Sequence, residues 1–556
     1  MNLLIAFTAL DGINRYGRTS TLTSVLSGIV RHFNRWRLVL SIFLLVYSAL
    51  LLLDLGYAAI QWDETSHLYN GLLLSRGHLQ EYIQEGSFYP PLFDVTTALY
   101  FKILGLSVFS ARLVAVTFGV LSVWCVFEYA YRLYGTRNAL VSSVLLASMP
   151  GFIVLCRMAL IETMLVFFFS ISLLLFFSWL HTNNDKLLLL SGVTLGLGFL
   201  VKYQILVGGI VMLVSVFFLW RERILAKLGK FSLLLIIAGA IALPWIFFTQ
   251  RYASGTLETW LYVLQVGNEE RLVYSTRFPL PIFYFIEMTY PYSDIHPVSL
   301  PIYILALLGL GFWLWRRRRE DKFSLIWFFV VYSVFTLIPN KNWRYVTLVF
   351  PILAVSASDF ILLVWDKAKD SLRACQTSFR KTNITKVATT VFIFLVMASV
   401  LYSSRDAYLW IEMDHHVYVP VEEASRYVFE QSTLNETLIV LCESNLFNVG
   451  MVKFYLRIYD PNQRALWQYP EMPIDAYKPL FNETTLIERC EASHAKYLLL
   501  YEYDNITFFQ SEFGAQKILE ILLITGRFVI EAEFGDRPRR IFIISFLSTS
   551  PMRANR

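Results

Sequence analysis

Residues 164–180 read MLVFFFSISLLLFFSWL and contain no charged side chain. A helix rises about 1.5 Å per residue, so about 20 residues cross the ~30 Å hydrocarbon core of a bilayer. A second uncharged run, LVLSIFLLVYSALLLL, occupies residues 38–53. Apolar runs of this length indicate helices that cross a membrane.

The composition of the whole chain points the same way. Of the 556 residues, 56% are hydrophobic and 16% are charged, whereas soluble domains carry about 25% charged residues. A soluble globular protein is therefore excluded. The five cysteines do not have metal-ligand spacing, which argues against a zinc or iron centre.

We predict an α-helical polytopic membrane protein with about eleven spans and a C-terminal soluble domain. The spans are expected near 38–60, 111–131, 138–156, 163–180, 187–201, 204–220, 231–248, 298–315, 323–338, 345–365 and 387–403. Residues 1–37 form a cytoplasmic segment, and 38–403 form the transmembrane domain, in which 61–110 is the first extracytoplasmic loop. The C-terminus then lies outside.

Basic side chains cluster in the connections that this topology places inside the cell. The clusters are Arg31, Arg35 and Arg37; Arg132 and Arg137; Arg221, Arg223, Lys227 and Lys230; 316–319; and 367–386. Short basic connections beside spans are typical of the cytoplasmic side. We interpret them as membrane anchors and expect membrane lipids, not nucleic acid, as their partners.

The segment 89–106 (YPPLFDVTTALYFKILGL) decides the topology. It contains Asp94 and Lys102, and a charged residue within a span costs about 2.5–3.5 kcal/mol. Counting it as a span would also invert every later connection. We therefore predict an amphipathic helix that lies along the outer interface.

Residues 404–556 have a different pattern. Short β-rich runs at 437–442, 496–503, 527–534 and 540–546 alternate with helical stretches. Such alternation predicts a small α/β domain, which the topology places outside the cytoplasm.

Ionisable groups collect at the outer ends of the predicted spans. They lie in 61–64 (QWDE), at Arg157 and Glu162 around one short connection, at Lys202 after the fifth span, and in 340–345 (NKNWRY). Ionisable residues at a membrane edge are costly and are candidates for function. Acids and bases together predict a site that binds an anionic headgroup and deprotonates a nucleophile.

Each of these residues also has a purely structural interpretation. Asp63 could cap the following helix, and Glu162 could pair with Arg157. Lys202, Lys341 and Arg344 could reach lipid phosphates, and His67 could be an interfacial polar residue. The coincidence of all these groups on one face favours the functional interpretation.

The order of these motifs resembles the GT-C glycosyltransferases over roughly residues 38–365. The resemblance rests on Asp63 and Glu64 after the first span, on the YPPL helix start, on Ala111-Arg112-Leu113, on the acid at 162 after Arg157, on 196–202 (GLGFLVK), and on 339–345 (PNKNWRY) with Pro351. The chain is most similar to the branch of the protein O-mannosyltransferases and the aminoarabinose lipid A transferases.

The resemblance implies an inverting transfer of a sugar from a polyprenyl-phosphate carrier, dolichyl or undecaprenyl, to a protein, glycan or lipid acceptor outside the cytoplasm. Asp63 matches the family's catalytic aspartate and is expected to be the general base. Glu64 and Glu162 are expected to complete the acidic set. The groups expected to bind the donor phosphate are Lys341, Arg344, Tyr345, Lys202 and Arg157.

Several positions depart from the family pattern. Ser66 stands where the aminoarabinose branch has a basic residue, and Tyr89 stands where it has a lysine before the prolines. The second acid is Glu162 and not the commoner aspartate. No Asp-X-Asp signature of a nucleotide-sugar donor is present. No metal-ligand set is evident, and a divalent cation remains an open alternative.

Two other classes of function remain open at this point. A transporter or lipid flippase would carry charged residues near the middle of its spans and often repeated halves. A receptor or scaffold would use its outer domain to bind a partner and would have no use for Asp63 and its basic companions.

Overall fold

The computed structural model describes most of the chain. The described ranges are 35–86, 89–220, 224–252, 277–289, 296–374, 381–410, 417–432, 436–441, 446–460, 482–502 and 514–548. The predicted cytoplasmic segment 1–37 therefore lies almost wholly outside the described residues.

Helices dominate the part of the chain before residue 411. They are α1 (Arg35–Leu52), α2 (Trp62–Arg76), α3 (Leu79–Gly86), α4 (Leu92–Leu104), α5 (Val108–Tyr134), α6 (Thr136–Ser148), α7 (Pro150–Arg157), α8 (Glu162–Thr182), α9 (Asp185–Phe199), α10 (Leu206–Leu219), α11 (Ile224–Tyr252), α12 (Phe283–Glu287), α13 (Leu300–Arg316), α14 (Arg319–Leu337), α15 (Phe350–Ala374) and α16 (Lys381–Trp410). Short 3-10 turns cover Tyr203–Ile205, Leu280–Ile282 and Trp343–Val349.

A helix is present at each of the eleven predicted spans, and the predicted helical membrane fold is confirmed. Four described helical stretches are long and apolar enough to cross a bilayer by length and composition: Val108–Tyr134, Glu162–Thr182, Lys227–Tyr252 and Trp343–Asp370. Helices α6 and α7, bent by 66° at their junction, would make a fifth if they form one broken span. Shorter apolar helices include α1, α10 and α13.

Helix α8 is the centre of the bundle. It contains the uncharged run 164–180, and every residue of its apolar window is buried inside the protein. A helix that is apolar on all sides needs apolar neighbours on all sides, and α8 packs against α5, α9 and α10. The apolar side chains exposed on the surface lie elsewhere, for example Leu45 on α1 and Trp315 on α13.

The first span is shorter than predicted. We predicted helix up to residue 60, but α1 ends at Leu52. The carbonyl groups of Leu55, Ala58 and Ala59 accept hydrogen bonds from the buried guanidinium of Arg112. These carbonyls therefore bond to a side chain of α5 instead of continuing the ladder of α1.

The predicted interfacial helix is present as α4, which has 13 residues and packs on α2 and α5. At about 1.5 Å per residue it is too short to span a bilayer alone. Its Asp94 is buried and is not exposed to lipid, because the carboxylate contacts His67 of α2.

The C-terminal residues form the predicted α/β domain. Its elements are α17 (Val421–Gln431), β1 (Thr437–Leu441), α18 (Val449–Tyr459), α19 (Glu483–Ser493), β2 (Ala495–Tyr501), α20 (Ala515–Ile524), β3 (Phe528–Phe534) and β4 (Ile541–Phe546). The strand order is β1-β2-β4-β3. Strands β1 and β2 are parallel, and the other two pairs are antiparallel.

This domain contacts the segment that contains Asp63. The Ala59 amide donates to the Val417 carbonyl over 3.0 Å, and Arg76 donates to the Ile458 carbonyl over 3.2 Å. The domain and α2 therefore lie at the same end of the bundle.

Several basic side chains pair with acids at the other end. Arg37 lies 3.3 Å from Glu128, and Arg316 lies 2.7 Å from Asp359. Arg137 forms an exposed pair with Asp366 at 3.0 Å. These three pairs lie at the helix ends remote from Asp63, so these described basic residues and the candidate site occupy opposite ends of the bundle.

Candidate active site

Helix α2 presents its two adjacent acids in different directions. Neighbouring residues on a helix are rotated by about 100°, so Asp63 and Glu64 do not face the same group. The side chain of Asp63 is 46% exposed, whereas that of Glu64 is fully buried. Glu64 also accepts the Gln61 amide proton over 2.9 Å, which caps the start of the helix.

Glu64 is held in a buried bidentate ion pair. Arg112 Nε donates to its Oε1 over 2.8 Å and Nη2 to its Oε2 over 2.7 Å. The Ala159 amide donates to Oε1 over 2.7 Å. Both carboxylate oxygens are engaged and sealed from solvent. These contacts fix α2 against α5, and a catalytic role for Glu64 stays a prediction.

Four charged side chains form an alternating chain at the mouth of the bundle. Asp63 Oδ2 lies 2.5 Å from Arg344 Nη2. Arg344 Nη1 lies 3.9 Å from Glu162 Oε1, which in turn lies 3.2 Å from Lys202 Nζ. The fold thus brings together four predicted site residues that come from four separate segments.

The charged side chains of this cluster differ in their exposure to solvent. The exposed fraction of the side chain falls from 46% at Asp63 to 21% at Arg344 and 3% at Glu162. Glu162 Oε2 is buried and has no hydrogen-bond partner among the described residues. A buried carboxylate oxygen without a donor is costly, so this atom is suited to accept a hydroxyl group of a ligand.

Two tyrosines flank the lysine of this chain. Lys202 Nζ lies 5.8 Å from the ring centre of Tyr89 and 5.7 Å from that of Tyr345. Burial and then the nearby Asp63 carboxylate raise the pKa of the Tyr89 hydroxyl. Burial lowers the pKa of Lys202, and the Glu162 carboxylate opposes this shift. Tyr89 therefore remains a neutral hydrogen-bond donor beside the cations.

Lys341, predicted to bind the donor phosphate, contacts the end of a neighbouring helix. Its Nζ donates to the carbonyl groups of Phe335, Thr336 and Ile338 over 2.8, 2.5 and 2.6 Å, at the end of α14. Burial lowers the pKa of its ammonium to about 8. These bonds fit a helix C-cap, and donor-phosphate binding by Lys341 stays a prediction.

We expect Lys341→Met to lower the thermal stability of the protein and to leave the donor KM unchanged. Losing the donors of buried carbonyls costs about 1–3 kcal/mol. Thermal unfolding in detergent would measure the loss of stability. The control is Lys322→Met, at an exposed lysine on α14. A raised donor KM with unchanged stability would restore the predicted phosphate-binding role.

Arg157 is also turned away from the predicted phosphate site. Its Nη1 donates to the Leu51 carbonyl over 2.8 Å, at the end of α1. The side chain is buried, and none of its hydrogen bonds in the described part of the chain reaches the charged cluster. This hydrogen bond joins α7 to α1, while Arg157 Nε has no hydrogen-bond partner among the described residues. Donor binding by Arg157 stays a prediction.

A second buried polar cluster lies next to Tyr89. His67 Nδ1 lies 2.7 Å from Asp94 Oδ1, and Asn70 donates to Asp94 Oδ2 over 3.0 Å. The ring of His67 lies 5.7 Å from that of Tyr89. The sequence analysis did not pair His67 with Asp94. Two sequence features could have indicated this pair: His67 follows Asp63 by one helical turn, and Asp94 is an acid within an otherwise apolar helix.

The sequence analysis also did not assign Tyr89 or Arg112 to the site region. Arg112 was quoted as part of a motif, and Tyr89 was noted as a departure from the family. Among the residues that the structure describes, no group of three or more His, Cys, Asp or Glu side chains is arranged to hold a metal ion.

Comparisons with known proteins give a family match over part of the chain and similar folds over most of it. Residues 89–248 match the model of the family described as dolichyl-phosphate-mannose-protein mannosyltransferase. An uncharacterized protein of Aquifex aeolicus (strain VF5) is 26% identical over 331 residues, which are 57% of this chain and 64% of that protein. The matched region thus spans less than two thirds of that relative.

Solved structures match over most of the chain. ArnT from Cupriavidus metallidurans in the apo state is 14% identical, with a TM-score of 0.59 over 92% of this chain and 97% of that one. The same protein bound to undecaprenyl phosphate gives a TM-score of 0.54. AglB from Archaeoglobus fulgidus, an oligosaccharyltransferase solved with an inhibitory peptide and a dolichol-phosphate, gives 0.52 at 13% identity, over 82% of this chain and 69% of that one.

Proposed function

We propose that the chain is a GT-C glycosyltransferase of the type of the protein O-mannosyltransferases and ArnT, because residues 89–248 match the mannosyltransferase family model and the fold matches ArnT and AglB. It would transfer a sugar from a polyprenyl-phosphate carrier to an acceptor with inversion at the anomeric carbon. The observation that carries this proposal is the alternating chain Asp63, Arg344, Glu162 and Lys202. It combines an accessible carboxylate with two cations on one face.

The reaction is a single displacement. The acceptor hydroxyl oxygen attacks the anomeric carbon, Asp63 takes the hydroxyl proton, and the bond from that carbon to the phosphate oxygen breaks. The lipid phosphate departs as an anion. Arg344 and Lys202 are the cations that stabilise its developing charge, so no general acid is required.

The ion pair between Asp63 and Arg344 has a place in this scheme. In the structure Arg344 holds the carboxylate that must act as the base. A lipid phosphate that binds Arg344 would replace Asp63 as its partner and leave the carboxylate ready for the acceptor. Glu162, through its unpartnered Oε2, would accept a hydroxyl group of the donor sugar.

The topology is part of the proposal. We place the site and the domain 404–556 on the extracytoplasmic face of a cell membrane, with the segment 1–37 in the cytoplasm. The basic clusters paired at the far end of the bundle support this orientation. The donor is drawn from the membrane, and the acceptor approaches from outside.

The test is sugar transfer by the purified protein in liposomes supplied with radiolabelled polyprenyl-phosphate sugars. We expect labelled product and release of polyprenyl phosphate, with opposite anomeric configurations in donor and product. A protein that transfers no sugar from any donor in the panel, but moves the lipid across the bilayer, would be a flippase instead.

Arg344→Gln is expected to raise the donor KM by about 10- to 100-fold, because a charge-assisted hydrogen bond contributes about 1.5–3 kcal/mol. Arg137→Gln, at an exposed ion pair on the opposite end, serves as the control and should not change it. Equal KM values for the two variants would remove Arg344 from the donor site.

A further inference from the structure

A cavity of about 140 Å³ lies between the membrane bundle and the C-terminal domain, apart from the charged cluster. One wall is the chain between α1 and α2, and the other is formed by α18 and the start of α17. The lining residues that matter for its chemistry are Tyr57, Ala59, Ile60, Tyr418, Glu422 and Tyr455. A cavity of comparable size, about 150 Å³, accommodates a benzene ring, so this one is suited to a single six-membered ring.

Two tyrosine rings stack on each other at the mouth of the cavity. The rings of Tyr57 and Tyr418 stack with their centres 5.8 Å apart and their planes 26° apart. The two residues are 54% and 42% exposed. Exposed stacked tyrosines from two separate parts of the chain present one apolar face beside polar groups, as binding sites for amphipathic ligands do.

Two hydrogen-bonding residues also line the cavity, Tyr455 and Glu422. No hydrogen bond joins the Tyr455 hydroxyl to a described residue. Burial and then the Glu422 carboxylate raise the pKa of this hydroxyl, which therefore remains a donor. Glu422 accepts from the Tyr459 hydroxyl with Oε1, which also lies 3.6 Å from Arg426 Nη2. The cavity thus offers a hydroxyl donor, and a carboxylate whose Oε2 is left to accept from a ligand.

The charge of the lining selects the ligand. None of the residues that line the cavity in the described part of the chain is basic, so a phosphate group would find no cation there. The two nearby arginines are already paired, Arg112 with Glu64 and Arg426 with Glu422. Aromatic cages bind an ammonium group with several ring faces, whereas Tyr57 and Tyr418 stack on each other and leave one ring face for a ligand. An ammonium group also has no acceptor for the Tyr455 hydroxyl proton.

The cavity lies close to the candidate base. Ile60 lines it and precedes Asp63 by three residues, so their Cα atoms lie within about 10 Å. The Ala59 carbonyl of the same wall accepts a hydrogen bond from Arg112, which fixes α2 through Glu64. A ligand in the cavity would therefore be held in register with Asp63.

We propose that this cavity is a subsite for a neutral pyranose ring of the acceptor. This inference rests on the proposed function, and it narrows the acceptor to a neutral glycan or glycoside. The sugar ring would stack on the open face of the Tyr57–Tyr418 pair. One sugar oxygen would accept a hydrogen bond from the Tyr455 hydroxyl, and one sugar hydroxyl would donate to the Glu422 carboxylate.

The test is binding of methyl α-mannopyranoside and methyl β-glucopyranoside to the full-length protein in nanodiscs, followed by saturation-transfer NMR. We expect at least one glycoside to bind, and to bind about five- to tenfold more weakly to Tyr455→Phe and Glu422→Gln. Glu520→Gln, an exposed acid on α20, is the matched control and should bind like wild type. Thermal unfolding of each variant confirms folding.

The outcomes separate this inference from the proposed function. Binding that persists in Asp63→Asn, a variant without transfer, supports the subsite as distinct from the base. Sugar transfer with an acceptor KM that neither Tyr455→Phe nor Glu422→Gln changes would overturn the subsite and leave the function standing. The subsite is also overturned if neither glycoside binds, or if mannose 6-phosphate or tetramethylammonium occupies the cavity in their place.

Discussion

Replacing Asp63 by asparagine is expected to lower the turnover number by about 10²- to 10⁴-fold, the contribution typical of a positioned general base. Asparagine has the same shape but cannot take the acceptor proton. The donor KM should not rise, because Arg344 loses a competing carboxylate and becomes free for the lipid phosphate. Transfer from a radiolabelled polyprenyl-phosphate sugar measures both quantities.

A matched control is available on the same face. Asp54 is exposed and adopts a left-handed conformation with φ of 51°, which asparagine tolerates well. Asp54→Asn should therefore retain wild-type turnover. If Asp63→Asn also retains it at an equal protein level, the base lies elsewhere and Glu162 becomes the leading candidate.

The second large effect concerns stability. Arg112→Met is expected to lower the free energy of unfolding by about 3–5 kcal/mol, because it leaves the buried Glu64 carboxylate without its cation. The carbonyl groups of Leu55 and Ala59 lose their donor as well. Unfolding in detergent, followed by heat or denaturant, measures the loss. Arg137→Gln breaks an exposed pair and should cost less than about 1 kcal/mol.

Glu64→Gln separates the structural role of Glu64 from a catalytic one. The amide keeps one acceptor oxygen for the Ala159 amide but loses the charge that pairs with Arg112. We expect reduced stability, with turnover per folded molecule close to wild type. A stable variant that has lost turnover would show that Glu64 acts in the reaction, as the sequence analysis expected.

The sequence predicted in part which residues come together at the candidate site. The predicted membrane topology placed Asp63, Glu162, Lys202 and Arg344 at one end of the bundle. In the structure Asp63 contacts Arg344, Arg344 contacts Glu162, and Glu162 contacts Lys202. That prediction followed from helix length and direction alone. Residues at successive helix ends must meet at the same face when the helices cross the same layer.

The orientation of individual side chains could not be predicted in this way. Asp63 and Glu64 are neighbours in sequence, yet one faces the cluster and the other pairs with Arg112. Lys341 and Arg344 are three residues apart, yet one caps α14 and the other meets Asp63. The direction of each depends on the rotation of a helix that is distant in sequence.

The sequence by itself determined the membrane class, the positions of the helices and the existence of the α/β domain. The reason is that the free energy of burying an apolar run is a sum over neighbouring residues, so a local window contains it. Only the tertiary structure decided which charges pair, that Asp94 contacts His67, and that Tyr57 and Tyr418 stack at the mouth of one cavity. Pairing energies depend on distances between segments far apart in the chain, and packing alone sets those distances.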